Sequence, residues 1–290
     1  MRRLRSNYVI VFLVLCAFAL NSILCRFALS HTSLDPMSFT TLRLVSGAAV
    51  LVVLLTLLNN RETVGCFEIQ EFRTEWFTPL SLLVYAAGFS YAYVSLPAGM
   101  GALLLFGAVQ FSMICYGLYS GERLNTIQWI GLLVAVVGVL VLFLPGATAP
   151  SLWGSVLMVT AGIGWAFYTV RGKGASKPVR ATGSHFVKAS VISLLISIVL
   201  SSEIRWDGAG ALYAVLAGGV TSGLGYALWY FVLPSIKVAT AATLQLSVPV
   251  IAIIMGLLFL EEQATLHLFL SCITILGGIF LYIFSGMRTR

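Results

Sequence analysis

The sequence predicts an all-α membrane protein with ten transmembrane helices, arranged as two inverted repeats of five helices. Three observations support this fold class: an apolar composition, apolar runs that alternate with short polar segments, and a similarity between the two halves of the chain. Hydrophobic residues make up 59% of the 290 residues and charged residues only 9%, whereas soluble domains carry about 25% charged residues. Mean hydropathy is +0.99. Because so few polar side chains cannot cover a soluble globule, we expect the solvent to be mainly lipid.

The first two helices are predicted from an apolar run and a helix-start signal. Crossing a bilayer takes about 20 apolar residues, and the run after the basic segment Met1–Arg5 is that long. No small-residue cleavage site follows it, so we interpret it as a spanning helix and not as a signal peptide. Asp35 and Pro36 then suit the N-cap and first turn of the second helix.

Prolines and polar turns separate the remaining apolar runs. Asn59–Glu75 is the one long charged connector, and Pro97, Pro145 and Pro150 mark short turns. The ten predicted helices cover about 8–29, 36–58, 78–95, 98–120, 126–144, 152–170, 184–202, 209–232, 238–260 and 265–285.

The distribution of Lys and Arg predicts the orientation. With the N-terminus inside, thirteen basic residues fall in inner segments and only Arg205 falls in an outer loop. Cytoplasmic segments of membrane proteins carry such an excess of basic residues. We therefore predict that both termini are cytoplasmic. The same rule explains the net charge of +7 without a nucleic-acid partner.

The two halves of the chain are similar in sequence. Ser95–Phe143 reads as two apolar helices around a polar turn, and the same pattern returns 140 positions later at Ser235–Ile283. Shifts of 145 and 135 positions align Arg43 with Lys188 and Tyr91 with Tyr226. Residues 1–148 and 149–290 are therefore predicted to be two five-helix repeats. Because five is odd, the second copy is inverted, which predicts a site near the midplane between the repeats.

These features resemble the drug/metabolite transporter superfamily, specifically its ten-helix EamA-type members. Besides the two repeats, the resemblance rests on Pro36, Arg43, Gly121-Glu122, Gly164-Trp165-Ala166, Pro249 and Glu262. Helix nine ends in Glu261-Glu262, where family members commonly have Gly-Glu. The resemblance implies a transporter of amino acids, nucleotide derivatives, sugars or drugs, mostly outward in bacteria.

Polar and aromatic side chains inside the predicted spans are the candidate substrate-binding residues. A charged group in the hydrocarbon costs about 2.5–3.5 kcal/mol on insertion scales, so Arg43 either recognises a substrate carboxylate or phosphate, or bonds to helix-end carbonyls or Asp35. Aromatic residues either line a cavity or form belts at the membrane surface, and the belt hypothesis is preferred for Tyr93, Tyr168 and Tyr230. The predicted substrate-binding set is Asn21, Ser22, Arg43, Tyr85, Tyr91, Gln110, Trp165, Lys188, Tyr226, Trp229 and Gln245.

No catalytic or cofactor-binding pattern is evident in the sequence. There is no HExxH motif, no Cys pair at metal-ligand spacing and no GxSxG in a span, and an intramembrane enzyme would need such a set. Glu122 and Glu262 are predicted to cap the helices that follow them. We thus expect no enzyme activity, cofactor or metal.

The predicted function is secondary transport in the bacterial inner (plasma) membrane. The expected partners are the lipid bilayer and a small-molecule substrate, an amino acid or a similar zwitterionic or amphipathic solute exported by alternating access. Transport of nucleotide-type metabolites or drugs, and an intramembrane enzyme, remain alternatives.

Overall fold

The described residues of a computed structural model, 2–57, 75–121, 123–143, 150–172, 177–232, 244–263 and 265–288, are helical with short connections and contain no strand. Seven of the helices in these ranges are long and apolar enough to cross a membrane, and Thr126–Leu142 and Ser247–Phe259 are shorter apolar helices. The predicted all-helical class is confirmed. The helices are α1 Arg2–His31, α2 Pro36–Leu57, α3 Phe77–Tyr93, α4 Ala98–Tyr119, α5 Thr126–Leu142, α6 Leu152–Gly172, α7 Pro178–Val199, α8 Gly208–Val232, α9 Ser247–Phe259 and α10 Leu266–Arg288.

Side-chain caps fix the starts of several helices. The Asp35 carboxylate accepts a hydrogen bond from the Ser38 N–H at 2.9 Å, which confirms the predicted cap of α2. Its second oxygen accepts from the Arg205 N–H at 3.1 Å and so ties this cap to the segment before α8. At the start of α5, Asn125 and Gln128 form a reciprocal capping box, which satisfies two otherwise unpaired backbone N–H groups.

One predicted boundary was wrong. Helix α7 begins at Pro178 and not at about 184, because proline suits a first helical turn and Arg180 is part of the helix. Helix α9 is described over Ser247–Phe259, and its predicted start at about 238 lies outside the described residues. Pro249 lies in its first turn, where the missing N–H costs nothing. Residues 58–74, 144–149 and 233–243, which include most of the charged connector, lie outside the described residues, as does Glu122.

Helix α8 contains a π-helical segment, Ala217–Leu224, in its middle. Such segments are rare and often occur at functional sites. Here the segment is packed closely against α2, because Gly218 lies on the Arg43 carbonyl and the Ser46 hydroxyl. A side chain at Gly218 would overlap both groups, so only glycine allows this approach.

The helices pack against one another in defined pairs. Helix α5 packs along α10, α2 along α7, and α4 on α9. Helix α3 contacts α6 and α7, α4 contacts α6, α1 contacts α8 and α9, and α2 contacts α8. Glycines permit the closest approach, since a Cβ at Gly131 in α5 would lie 2.6 Å from the Gly278 carbonyl oxygen in α10. Small residues are the usual means of close packing between helices in lipid.

Tyr93 and Tyr168, which we predicted to lie in interfacial belts, are instead buried, with 0% and 1% exposure. The Tyr93 hydroxyl donates to the Ala98 carbonyl at 3.2 Å, and its ring packs edge-on against Phe89. Tyr168 stacks on Trp165. Both rings belong to the interior because their helices turn these faces toward neighbouring helices and not toward lipid.

The end of α9 forms a turn with an unusual backbone. The N–H groups of Leu260 and Glu262 both bond to the Gly256 carbonyl, at 3.0 and 3.2 Å, and Glu261 between them has φ +52°. This left-handed conformation is normally adopted by glycine at a helix C-terminus. The turn directs Glu262 to the N-terminus of α4, where its carboxylate accepts from the Ala98 N–H. The expected capping of the following helix by Glu262 is therefore wrong.

Replacing Glu261 with glycine is expected to stabilise the protein by about 0.5–1 kcal/mol, because it relieves the positive φ. The melting temperature of the purified protein in detergent should rise. Gly121→Ala is the matched control, since Gly121 has φ +90° and open space around it. It should lower the melting temperature. A Glu261→Gly protein that melts earlier than the parent would contradict this interpretation of the turn.

Candidate functional site

A small cavity lies inside the bundle, where helices from both halves of the chain meet. The free space in this central cavity is about 20 Å³, which is enough for one water molecule. Its walls come from α1, α3, α4, α6 and α8. The lining residues are Phe18, Asn21, Ser22, Tyr85, Phe89, Leu105, Phe106, Trp165 and Tyr226.

Trp165 is the centre of the aromatic part of this wall. Its ring lies 4.9 Å from Tyr85, 5.0 Å from Tyr226 and 5.4 Å from Tyr168, between ring centroids. Neighbouring Gly164 makes this possible, because a Cβ there would lie 3.0 Å from the Ser81 carbonyl oxygen of α3. Aromatic pairs at such distances contribute about 0.5–1.5 kcal/mol beyond the burial of their area. The cluster can therefore hold a planar or apolar group between α3, α6 and α8.

Polar groups of α1 complete the wall. Asn21 and Ser22 are buried, with 5% and 1% exposure. The Thr221 hydroxyl in the π-helical segment donates to Asn21 Oδ1 at 3.1 Å. This contact fixes one end of the Asn21 amide against α8, and the amide and hydroxyl supply hydrogen-bonding groups to an otherwise aromatic cavity.

Arg43 lies directly behind the cavity wall. The side chain is 1% exposed, and it donates from Nη2 to the Tyr85 hydroxyl at 2.8 Å and from Nε to Ser222 Oγ at 3.1 Å. The guanidinium also lies 4.8 Å from the centroid of the Phe89 ring, within the range of a cation–π contact. Nη1 is buried without a hydrogen-bond partner among the described residues.

The predicted alternative for Arg43, a bond to helix-end carbonyls or to Asp35, is wrong. Its partners are side chains of α3 and α8, and no carboxylate in the described part of the chain forms an ion pair with it. A buried guanidinium with an unpaired donor and no counter-charge is costly unless something else pairs with it. The donor set suits a carboxylate or a similar anion.

The structure brings five of the eleven predicted substrate-binding residues together in the central cavity and leaves six outside its lining. Trp229 packs on Phe18, with 6.0 Å between ring centroids, and does not line the cavity. Tyr91 is 39% exposed. Gln110 is buried, Gln245 is half-buried, and neither lines the cavity. The five that line it are Asn21, Ser22, Tyr85, Trp165 and Tyr226.

Lys188 is buried in a different part of the bundle from the central cavity. Its ammonium donates to the Glu75 carbonyl at 3.3 Å and lies 5.5 Å from the centroid of the Trp76 ring. Both partners precede α3. No cluster of His, Cys, Asp or Glu in the described ranges is suited to hold a metal ion.

Sequence reasoning missed four lining residues and one positioning residue. Phe18 lies three and four residues before Asn21 and Ser22, and Phe89 lies four residues after Tyr85, so helical spacing could have identified both. Leu105 and Phe106 of α4 carry no polar marker that would distinguish them from packing residues. Ser222 bonds to Arg43 because of the π-helical segment, which no sequence pattern predicted.

Apolar helices of spanning length around an internal cavity of aromatic and polar groups define an integral membrane protein with a candidate site in its core. The model of the EamA-like transporter family matches residues 5–144 and again residues 152–284. The chain belongs to this family and is a membrane transporter, which confirms the resemblance noted in its sequence.

Known proteins with similar sequences cover most of the chain. An uncharacterized protein of Pseudomonas aeruginosa is 45% identical over 95% of this chain and 93% of its own length. A probable amino-acid metabolite efflux pump of Escherichia coli is 27% identical over 73% of this chain and 79% of its own. A solved crystal structure covers 98% of this chain and 99% of its own, with a TM-score of 0.65 and 17% identity. That likeness establishes a common fold.

Proposed function

We propose that this protein is a secondary transporter that exports small organic metabolites, amino acids or similar zwitterionic or amphipathic solutes. Ten spanning helices form two inverted repeats, residues 1–148 and 149–290, which alternately open the central cavity to each side of a bacterial inner membrane. Both termini are cytoplasmic. The observation that carries the proposal is the central cavity, walled by α1, α3 and α4 of one half and by α6 and α8 of the other.

Helix pairing supports a two-fold relation between the halves, which the inverted arrangement requires. A two-fold axis would exchange α1–α5 with α6–α10. Because α3 maps onto α8, α4 onto α9 and α6 onto α1, the contact of α3 with α6 should be matched by one of α8 with α1. Likewise, the contact of α4 with α6 should be matched by one of α9 with α1. All four contacts occur. The pairs α2–α7, α4–α9 and α5–α10 map onto themselves. The double match of one family model to the chain agrees with the duplication.

The chemistry of the site supports the solute class. Trp165 and Tyr226 offer faces for an apolar or aromatic body, and Asn21 offers an amide. Behind them, the unpaired Nη1 of Arg43 suits a carboxylate, which it reaches once the Tyr85 hydroxyl moves aside. A zwitterion with an apolar side chain matches this combination. The relative in Escherichia coli is named for amino-acid metabolites, in agreement with this choice.

Cavity size supports alternating access. A space of about 20 Å³ is too small for a metabolite, so the helices are closed around the central cavity. Solute entry requires the walls to separate, and the two halves meet along these walls. Gating of one repeat against the other around a fixed central site is the usual mechanism of inverted-repeat transporters.

Trp165→Ala is expected to reduce transport about 2- to 12-fold, the rate equivalent of about 0.5–1.5 kcal/mol of lost aromatic contact. The solute is first identified by a thermal-shift screen of the purified protein, because a ligand that binds only the folded state raises its melting temperature. Uptake of that solute into proteoliposomes then measures transport, and size-exclusion chromatography measures folded yield.

Trp153→Ala is the matched control for Trp165→Ala. Trp153 lies on the same helix but is 71% exposed, so its loss should leave transport unchanged. If the Trp165→Ala protein transports as fast as the parent at equal folded yield, Trp165 has only a packing role. The proposed aromatic contact with the solute would then be wrong.

A further inference from the structure

A second, larger cavity lies near one end of the bundle, between α1, α4, α9 and α10. Its free space is about 250 Å³, more than ten times that of the central cavity and close to the range of small-molecule pockets, about 300–1,000 Å³. Met100, Leu257 and Leu268 give it an apolar wall, and Arg26 and Glu262 lie at its edge. We call it the end cavity.

Backbone groups fix the Glu262 carboxylate in the end cavity. The turn after α9 directs the side chain to the start of α4, where both oxygens accept from the Ala98 N–H, at 2.7 and 3.0 Å. Gly256 leaves room for it, since a Cβ there would lie 2.7 Å from Oε2. Each carboxylate oxygen has two lone-pair sites, so acceptor capacity remains for a second donor.

Arg26 is held in a similar way, opposite Glu262. Its Nη1 donates to the carbonyls of Tyr93 and Val94 at the end of α3, both at 2.9 Å. Its Nε lies 3.9 Å from Glu262 Oε1, which is too far for a hydrogen bond. The two side chains are 22% and 18% exposed. The two opposite charges thus form an ion pair without a hydrogen bond between them, and both side chains line the cavity.

The end cavity is separate from the central cavity. Along α4 the two linings lie at Met100 and at Leu105, five residues apart, or about 7.5 Å of helix. Tyr93 stands between them. Its ring packs against Phe89 of the central cavity, and its hydroxyl donates to the Ala98 carbonyl beside the end cavity.

We infer that the end cavity is a second binding site, for a zwitterion with an apolar body. The anionic group pairs with Arg26, the ammonium with Glu262, and the apolar body lies on Met100, Leu257 and Leu268. Burial raises the pKa of the Glu262 carboxyl, against the opposing effects of the Ala98 N–H and Arg26. An ammonium beside it favours the ionised form. The inference rests on the proposed function, since the site then holds the transported solute on one side of the Tyr93 wall.

Two sources can supply this chemistry: a free amino acid such as phenylalanine, and the headgroup of phosphatidylethanolamine. Both carry an ammonium and an anion, and the apolar body is a side chain in one and an acyl chain in the other. The experiment below separates them by adding each in turn to the same protein.

Leu257 and Leu258 provide a matched pair of reporter positions. Leu257 lines the end cavity, whereas Leu258 is 71% exposed and outside it. Leu257→Cys and Leu258→Cys are made separately in a chain whose five native cysteines are replaced by alanine or serine. The rate of reaction with N-ethylmaleimide is measured in phosphatidylcholine nanodiscs. L-phenylalanine at about twice its Kd should slow the reaction at position 257 about threefold and leave position 258 unchanged.

Solute analogues that lack one charge, and substitutions that neutralise Arg26 or Glu262, test the two contacts separately. Phenylpropionate lacks the ammonium and phenethylamine lacks the carboxylate, so each should protect position 257 less than phenylalanine does. Glu262→Gln should weaken protection by phenethylamine, and Arg26→Gln should weaken protection by phenylpropionate. Protection that appears when phosphatidylethanolamine is added, without any amino acid, supports the site with the lipid as its occupant.

Absence of protection by both phenylalanine and phosphatidylethanolamine would overturn the inference. The Trp165→Ala variant separates this result from a failure of the proposed function. Protection at position 257 that persists when Trp165→Ala lowers transport supports an independent site. Normal transport by the parent without protection refutes the end site alone. Protection without transport of any amino acid upholds the site and refutes the proposed function.

Discussion

Arg43→Met is expected to reduce solute transport about ten- to a hundredfold and to lower the melting temperature. A hydrogen bond from a charged group contributes about 1.5–3 kcal/mol, and the proposed bond from Nη1 to the solute carboxylate is lost. The variant also loses the bonds to Tyr85 and Ser222, which join α2 to α3 and α8 directly behind the central cavity. Removal of an unpaired buried charge offsets part of that loss of stability.

Transport in proteoliposomes and the melting temperature in detergent measure the two effects. Arg43→Lys keeps the charge but lacks the planar guanidinium that donates two parallel hydrogen bonds. It should therefore retain only part of the activity. Tyr85→Phe removes the hydroxyl that accepts from Arg43 but keeps the ring, so it should reduce transport less than Arg43→Met does. The difference between the two variants measures what the guanidinium contributes beyond its bond to Tyr85. Full transport by the Arg43→Met protein would show that the guanidinium has no part in the site.

Gly218→Ala is expected to destabilise the fold by about 2–3 kcal/mol, at the upper end of overpacking effects. The added methyl would overlap the Arg43 carbonyl, a backbone group that moves only if α2 moves. The adjacent variant Gly219→Ala is a close control, because a Cβ there meets only a Val50 side-chain carbon, at 3.2 Å. Melting temperature and monodisperse yield should fall sharply for the first variant and little for the second. Equal behaviour of the pair would contradict the close contact of α8 with α2.

Local signals in the sequence predicted most helices, because a run of apolar residues and a cap are properties of neighbouring residues. Asp35 and Pro36 mark the start of α2 in this way. The start of α7 was misjudged because the apolar run begins only at about 184, whereas the helix also includes the polar residues that follow Pro178. The π-helical segment of α8 was missed, since its glycines equally fit an ordinary helix with close neighbours.

Prediction of the site was partial for a related reason. Polar and aromatic residues within spans are conspicuous, so Asn21, Trp165 and Tyr226 could be selected from the sequence. Their neighbours Leu105 and Phe106 could not, because an apolar residue that lines a cavity resembles one that packs against another helix. The contact of Glu262 with Ala98 joins residues 164 positions apart, and no local pattern encodes it.

A resting protein whose core admits one water molecule is smaller than any form that carries a metabolite. One water takes up about 30 Å³ of liquid, so a solute several times that size enters only if the protein swells by a comparable amount. Each solute molecule that passes through the protein therefore requires the helices around the central cavity to separate and close again.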